Sequence, residues 1–95
     1  FNLPAAAEAY ATIAAYAFPE LAPLEGPEAR ARGLVAALAR LARDLGLPPR
    51  LRDVGIPSEA LPRLAGLAMR QTRLLVNNPR PVTEADALGI YEAAW

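Results

Sequence analysis

Residues 27–46 read PEARARGLVAALARLARDLG, and this stretch sets the expectation for the whole chain. Its large apolar residues recur with the spacing of one α-helical face, at Leu34, Leu38, Leu41 and Leu45. Pro27 suits the first helical position, because its missing N–H would have no partner there, and Gly46 suits the position after the last turn. The stretch therefore predicts an amphipathic helix over residues 27–45 with one wide apolar stripe.

Helices are also expected in the other segments that lie between prolines and glycines. The apolar fraction is 54%, and much of it is alanine, the residue with the highest helix propensity. A first helix is predicted from Asn2, acting as its cap, to about Phe18, where Pro19 ends it. Glu8 is its only charge, which is typical of a helix buried between other elements. A last helix is predicted over residues 84–95, with Leu88, Tyr91 and Trp95 on one side.

The middle of the chain predicts shorter elements. Residues 49–53 suit one short turn, closed by Gly55. Two interpretations of the next segment are open: Ser58 caps a helix that continues to Thr72, or a separate turn ends at Leu61, since Pro62 lacks the N–H that a continuous helix would use. Together the elements predict an all-α fold, a small bundle of about four to five helices that forms a single unit over residues 1–95.

Several residue types that carry enzyme chemistry are absent from this sequence. It has no Cys and no His, and all ten of its basic residues are Arg. A thiolate nucleophile, an imidazole base or metal ligand, and a Schiff-base lysine are thereby excluded. Ten basic and ten acidic residues give a net charge of zero. The composition therefore does not indicate the positively charged surface that nucleic-acid binding needs. We predict no catalytic, no cofactor-binding and no metal-binding residues in this chain.

The sequence also lacks the pattern of a membrane segment. The longest uncharged run, residues 9–19, is about half of the roughly 20 apolar residues that a spanning helix needs. No basic segment precedes an apolar core, as it would in a signal peptide. We expect no membrane association and a cytoplasmic location.

The tail of the chain combines a rigid loop with a clear helix start. In Asn77-Asn78-Pro79-Arg80-Pro81 each proline fixes its own φ, and the residues before the prolines are pushed towards extended geometry. Thr83 is predicted to cap the last helix, with Asp86 three residues on completing a variant of the capping box.

This tail resembles the C-terminal end of the iron-containing (group III) alcohol dehydrogenase family, whose members close with an Asn-Pro-Arg loop and a short final helix. Further segments resemble the same family in the same order, and the resemblance covers essentially all 95 residues. They are Phe1-Asn2, Leu45-Gly46-Leu47-Pro48, Leu51-Arg52-Asp53-Val54-Gly55-Ile56, Leu64-Ala65 and Ala68-Met69.

The resemblance implies a two-domain, metal-dependent, NAD(P)-linked oxidoreductase, with maleylacetate reductases among its relatives. An N-terminal α/β domain binds the cofactor, and one Asp and three His of the helical domain hold iron, or sometimes zinc. The chain is then expected to be a fragment, the distal part of the C-terminal helical domain, which is not catalytic by itself. Its partners would be the remainder of the parent enzyme and further copies in a homo-oligomer. The alternative is a free-standing helical interaction module derived from such an enzyme.

The resemblance also bears on individual side chains. It implies that Leu74 and Leu75, in a strand-like segment before the Asn-Pro-Arg loop, line the substrate end of the cleft. The alternative is that both pack between helices, as apolar residues before a turn usually do. Arg80 is expected to donate to carbonyl groups at helix ends, and the acids Glu84 and Asp86 to complement the helix dipole rather than to hold a metal.

Overall fold

The computed structural model describes residues 1–95 and contains helices and turns but no β-strand. The five α-helices are α1 Leu3–Ala17, α2 Pro27–Asp44, α3 Leu61–Ala68, α4 Thr72–Leu75 and α5 Glu84–Ala93. Single turns of 3-10 helix lie at Pro19–Leu21, Leu51–Val54 and Ser58–Ala60. The all-α fold and the number of helices are confirmed. No helix is both long and apolar enough to span a bilayer.

The helices fall into two compact units. The first unit, Phe1–Leu47, contains α1 and α2, and the second, Pro48–Trp95, contains α3, α4 and α5. That both units belong to one domain stays a prediction from the sequence.

In the first unit α1 packs against α2. The buried residues of α1 are all alanines, Ala6, Ala11 and Ala14, and such small side chains let two helix backbones approach closely. Asn2 occupies the N-cap position but has helical backbone angles, φ −77° and ψ −12°, and makes no side-chain cap hydrogen bond. The predicted cap is therefore wrong, whereas the predicted stop before Pro19 is confirmed.

Helix α2 has the predicted ends but buries only part of the predicted stripe. Its C-terminal turn is closed by two hydrogen bonds, from Gly46 N to the Arg43 carbonyl (2.9 Å) and from Leu47 N to the Ala42 carbonyl (2.9 Å). This is the Schellman arrangement, and it requires the left-handed φ of +72° that Gly46 adopts. The buried residues are Ala31, Leu34 and Ala37, so the stripe is covered at one end only.

The connector between α1 and α2 lies against α2 at Gly33. A Cβ atom at this position would come within 3.1 Å of side-chain methyl groups of both Leu21 and Leu24. The Arg30 guanidinium donates from Nε to the Leu24 carbonyl at 2.9 Å, which fixes the same connector. A glycine in the middle of α2 is therefore explained by close approach rather than by a turn.

In the second unit α3 packs against α5, and the buried side chains are Leu61, Ala65 and Ala87. The turn Ser58–Ala60 is separate from α3, which begins at Leu61 and holds Pro62 in its first turn. The second of the two open interpretations is thus confirmed. The chain breaks again at Gln71 (φ −84°, ψ 51°), so Thr72 begins α4 instead of extending the face of α3.

Two glycine substitutions test separately how backbone strain and helix propensity affect the free energy of unfolding. Gly46→Ala should lower the free energy of unfolding by about 1 kcal/mol, because an L-residue is strained at positive φ. Gly89→Ala, within α5 and with open space around its Cα, should raise it by roughly 0.5–1 kcal/mol. Urea unfolding followed by circular dichroism measures both changes, and equal effects of the two substitutions would contradict this account.

Candidate functional site

The segment that carries Leu74 and Leu75 is helical. It forms α4, in which the amides of Leu74 and Leu75 both donate to the Gln71 carbonyl, at 2.9 and 3.1 Å. The strand-like segment expected from the resemblance is therefore wrong for this chain. The reason is local, since the extended geometry imposed by prolines begins only at the residue before Pro79.

The side chains of this segment differ in their exposure. Leu74 is 60% exposed, whereas Leu75 is half-buried. The alternative stated above was that both leucines pack between helices. Within this chain, such packing explains the partial burial of Leu75 but not the exposure of Leu74. The structure thus exposes a large apolar side chain on α4, shortly before the proline loop.

Two asparagine side chains fix the loop that follows α4. The Asn77 amide donates from Nδ2 to the Arg73 carbonyl at 3.1 Å, at the end of the helix. The Asn78 amide donates from Nδ2 to the Arg80 carbonyl at 2.6 Å, across Pro79. Together with the prolines, these bonds set the direction in which the chain leaves α4. The expected donation from the Arg80 side chain to helix carbonyls stays a prediction.

The start of α5 is the predicted capping box. The Asp86 amide donates to Thr83 Oγ1 at 3.1 Å, and the Thr83 amide donates back to Asp86 Oδ2 at 2.9 Å. The Thr83 hydroxyl donates to the same carboxylate oxygen at 2.7 Å. These two bonds from Thr83, together with the positive charge of Arg80, hold the pKa of Asp86 below its usual value. The carboxylate of Asp86 therefore acts as part of the cap.

The residues present do not fit the iron site that the family resemblance implies. That site takes one Asp and three His, and this chain has no His. No group of three or more acidic side chains lies close enough together to hold a metal ion. Glu84 and Asp86 lie in the first turn of α5, where negative charge stabilises a helix.

Trp95 makes a long-range contact that was not predicted from the sequence. Its indole Nε1 donates to the Ile56 carbonyl at 2.9 Å, and the Arg52 guanidinium carbon lies 5.3 Å from the centre of its ring. The Leu51 amide also donates to the Ala94 carbonyl at 2.9 Å. We call this set of contacts the Trp95 anchor. It joins residues 51–56, which carry one of the family-like motifs, to the end of α5. The signal in the sequence was the indole N–H, which needs an acceptor when it is half-buried.

All 95 residues match the C-terminal part of the Fe-containing alcohol dehydrogenase family. The chain belongs to this family. Its relatives include lactaldehyde reductase of Escherichia coli K12, which is 36% identical over the whole chain, and 1,3-propanediol dehydrogenase of Klebsiella pneumoniae, 32% identical over the whole chain. Long-chain-alcohol dehydrogenase 1 of Geobacillus thermodenitrificans is 46% identical over 61 residues, which are 64% of this chain and 15% of that enzyme.

The chain spans 24% of the length of lactaldehyde reductase and the same share of 1,3-propanediol dehydrogenase. A match that runs along the whole chain and lies in the C-terminal part of an enzyme family does not favour a free-standing interaction module. No solved structure matches the chain significantly.

The capping box makes a prediction about pH. Thr83→Val removes the hydroxyl that donates to Asp86, so the pKa of Asp86 should rise, whereas Thr83→Ser should keep it low; NMR titration of the side-chain carboxyl carbon measures both. Because the pKa of Asp86 is lower in the folded than in the unfolded state, its carboxylate stabilises the fold at pH values above the unfolded-state pKa of about 3.9. This contribution to the free energy of unfolding is lost as the pH falls through the folded-state pKa. Thr83→Val should therefore lose less stability on acidification than the parent chain. The same pKa in both variants would contradict the assignment.

The Trp95 anchor makes a prediction about stability. Trp95→Phe removes the indole N–H and should lower the free energy of unfolding by about 1 kcal/mol. Arg52→Met should cost roughly 0.5–1 kcal/mol by removing the cation–π contact. Arg63→Met, at an exposed position of α3, serves as the matched control. Urea unfolding followed by circular dichroism measures the free energy of unfolding of all three variants. If Arg52→Met costs no more than Arg63→Met, the cation–π contact contributes nothing.

Proposed function

We propose that residues 1–95 form the distal part of the C-terminal helical domain of a metal-dependent, NAD(P)-linked alcohol dehydrogenase in the cytoplasm. The observation that carries this proposal is the match of all 95 residues to the C-terminal part of the family. Relatives of about four times the length, named as reductases or dehydrogenases of lactaldehyde and 1,3-propanediol, support interconversion of alcohols and aldehydes as the activity of the parent enzyme.

In this proposal the chemistry is divided between two parts of the parent enzyme. The residue types of this chain supply no ligand set for iron or zinc. The metal and the nicotinamide cofactor therefore bind to the remainder of the parent, which is this chain's partner, and the complete enzyme assembles as a homo-oligomer. The present chain contributes packing and one wall of the substrate cleft.

Leu74 and Leu75 are the residues proposed to form that wall. Leu74 is exposed on the short helix α4, and the loop behind it is fixed by two prolines and by the amides of Asn77 and Asn78. A large apolar side chain held on a rigid support suits contact with the hydrocarbon part of an alcohol. Relatives named for a three-carbon diol and for long-chain alcohols support variation of chain length among substrates within the family.

The experiment that tests the proposed function uses the complete reading frame that contains residues 1–95. The purified product should contain iron or zinc and should oxidise NADH or NADPH in the presence of short aldehydes. A reading frame that adds no nucleotide-binding region and no histidine ligands would overturn the proposal, as would a metal-loaded, folded product without activity on any aldehyde tested.

A substitution in the same full-length enzyme tests the wall. Leu74→Trp should narrow the cleft and shift kcat/KM towards short alcohols, by about tenfold or more between a three-carbon and an eight-carbon substrate. The control is Val54→Trp, which also replaces an exposed apolar residue but lies outside the proposed wall. An unchanged ratio of kcat/KM for short and long alcohols in Leu74→Trp would contradict the assignment.

A further inference from the structure

From its middle to its C-cap residue, α2 exposes a row of large apolar side chains. Val35, Leu38, Leu41 and Leu45 are 52%, 51%, 44% and 67% exposed. We call these four residues the open stripe. They continue the face on which Leu34 is buried, so the same face is covered at its beginning and uncovered towards its end. Over the rise of an α-helix, the open stripe is about 15 Å long.

Charged residues of α2 lie away from the open stripe. Arg32 pairs with Glu28 at 3.9 Å and Arg40 with Glu20 at 3.6 Å, and both pairs are exposed. None of the four residues of the open stripe is charged, and the charged residues between them in sequence, Arg40, Arg43 and Asp44, lie elsewhere around the helix. An apolar row of this size, bordered by charged side chains, is the usual mark of a surface that another protein segment covers.

We propose that the open stripe is covered by an earlier part of the same polypeptide in the full-length enzyme. This inference rests on the proposed function, because it takes the covering segment from the three quarters of the relatives' length that this chain does not span. A contact without charges has the character of a permanent interface rather than of a transient one. A segment of the same polypeptide is also present in every subunit at high effective concentration, before any homo-oligomer assembles.

Thiol labelling tests this proposal, since the chain has no Cys of its own. Leu38→Cys places a thiol in the open stripe. Ala36→Cys places the control thiol at an exposed position about 160° from Leu38 around the same helix. Both variants are made in the 95-residue chain and in the full-length enzyme, and labelling by a maleimide is followed by mass spectrometry of the peptide from α2.

The expected result is similar labelling of both thiols in the 95-residue chain. In the full-length enzyme, labelling of Leu38→Cys should become at least about tenfold slower than that of Ala36→Cys, because a covered thiol reacts only when access opens. Val35→Cys is a second probe of the open stripe, so a variant that fails to fold does not remove the test.

Three results would overturn the inference. Equal labelling of Leu38→Cys and Ala36→Cys in a full-length enzyme that reduces aldehydes would do so while leaving the proposed function intact. Slow labelling of Leu38→Cys in the 95-residue chain, increasing with protein concentration, would assign the cover to a second copy. Slow labelling of Leu38→Cys in the 95-residue chain at every protein concentration would show that other residues of this chain cover the open stripe.

Discussion

The size of the buried side chains limits what this chain can do by itself. Its buried residues are seven alanines and two leucines, Leu34 and Leu61. Alanine contacts let helices lie close together but bury little apolar area, and the stabilisation from the hydrophobic effect is proportional to that area. Among the large apolar residues, which would stabilise most, only Leu34 and Leu61 are buried, and the others are half-buried or exposed. Both the open stripe and the exposed Leu74 follow from this distribution.

Several helix ends and the cap of α5 were predictable because they depend only on neighbouring residues. The stops at Pro19 and Gly46 and the capping box of Thr83 and Asp86 each need only a few adjacent residues and one backbone rule. The break at Gln71 was not predictable in the same way. No proline or glycine marks it, and Thr72 falls on the helical spacing of Leu61, Leu64, Ala65 and Ala68.

Burial was less predictable than helix position. The spacing of Leu34, Leu38 and Leu41 identifies an apolar face, but it contains no information on how far a neighbouring helix covers that face. The Trp95 anchor shows the same limit for polar contacts, since Trp95 and Ile56 are 39 residues apart in sequence. For the candidate wall, the resemblance indicated the residues, while the helical geometry of α4 came only from the structure.

The alanine contact between α1 and α2 has a consequence for how such a sequence can diverge. At Ala11, Ala14 and Ala31 a larger side chain would force the helix axes apart, and glycine would weaken the helices themselves. Substitution of these alanines both by larger residues and by glycine is thus restricted. Relatives that differ widely in their exposed residues should keep small residues here, and their α1–α2 spacing should vary less than their sequences.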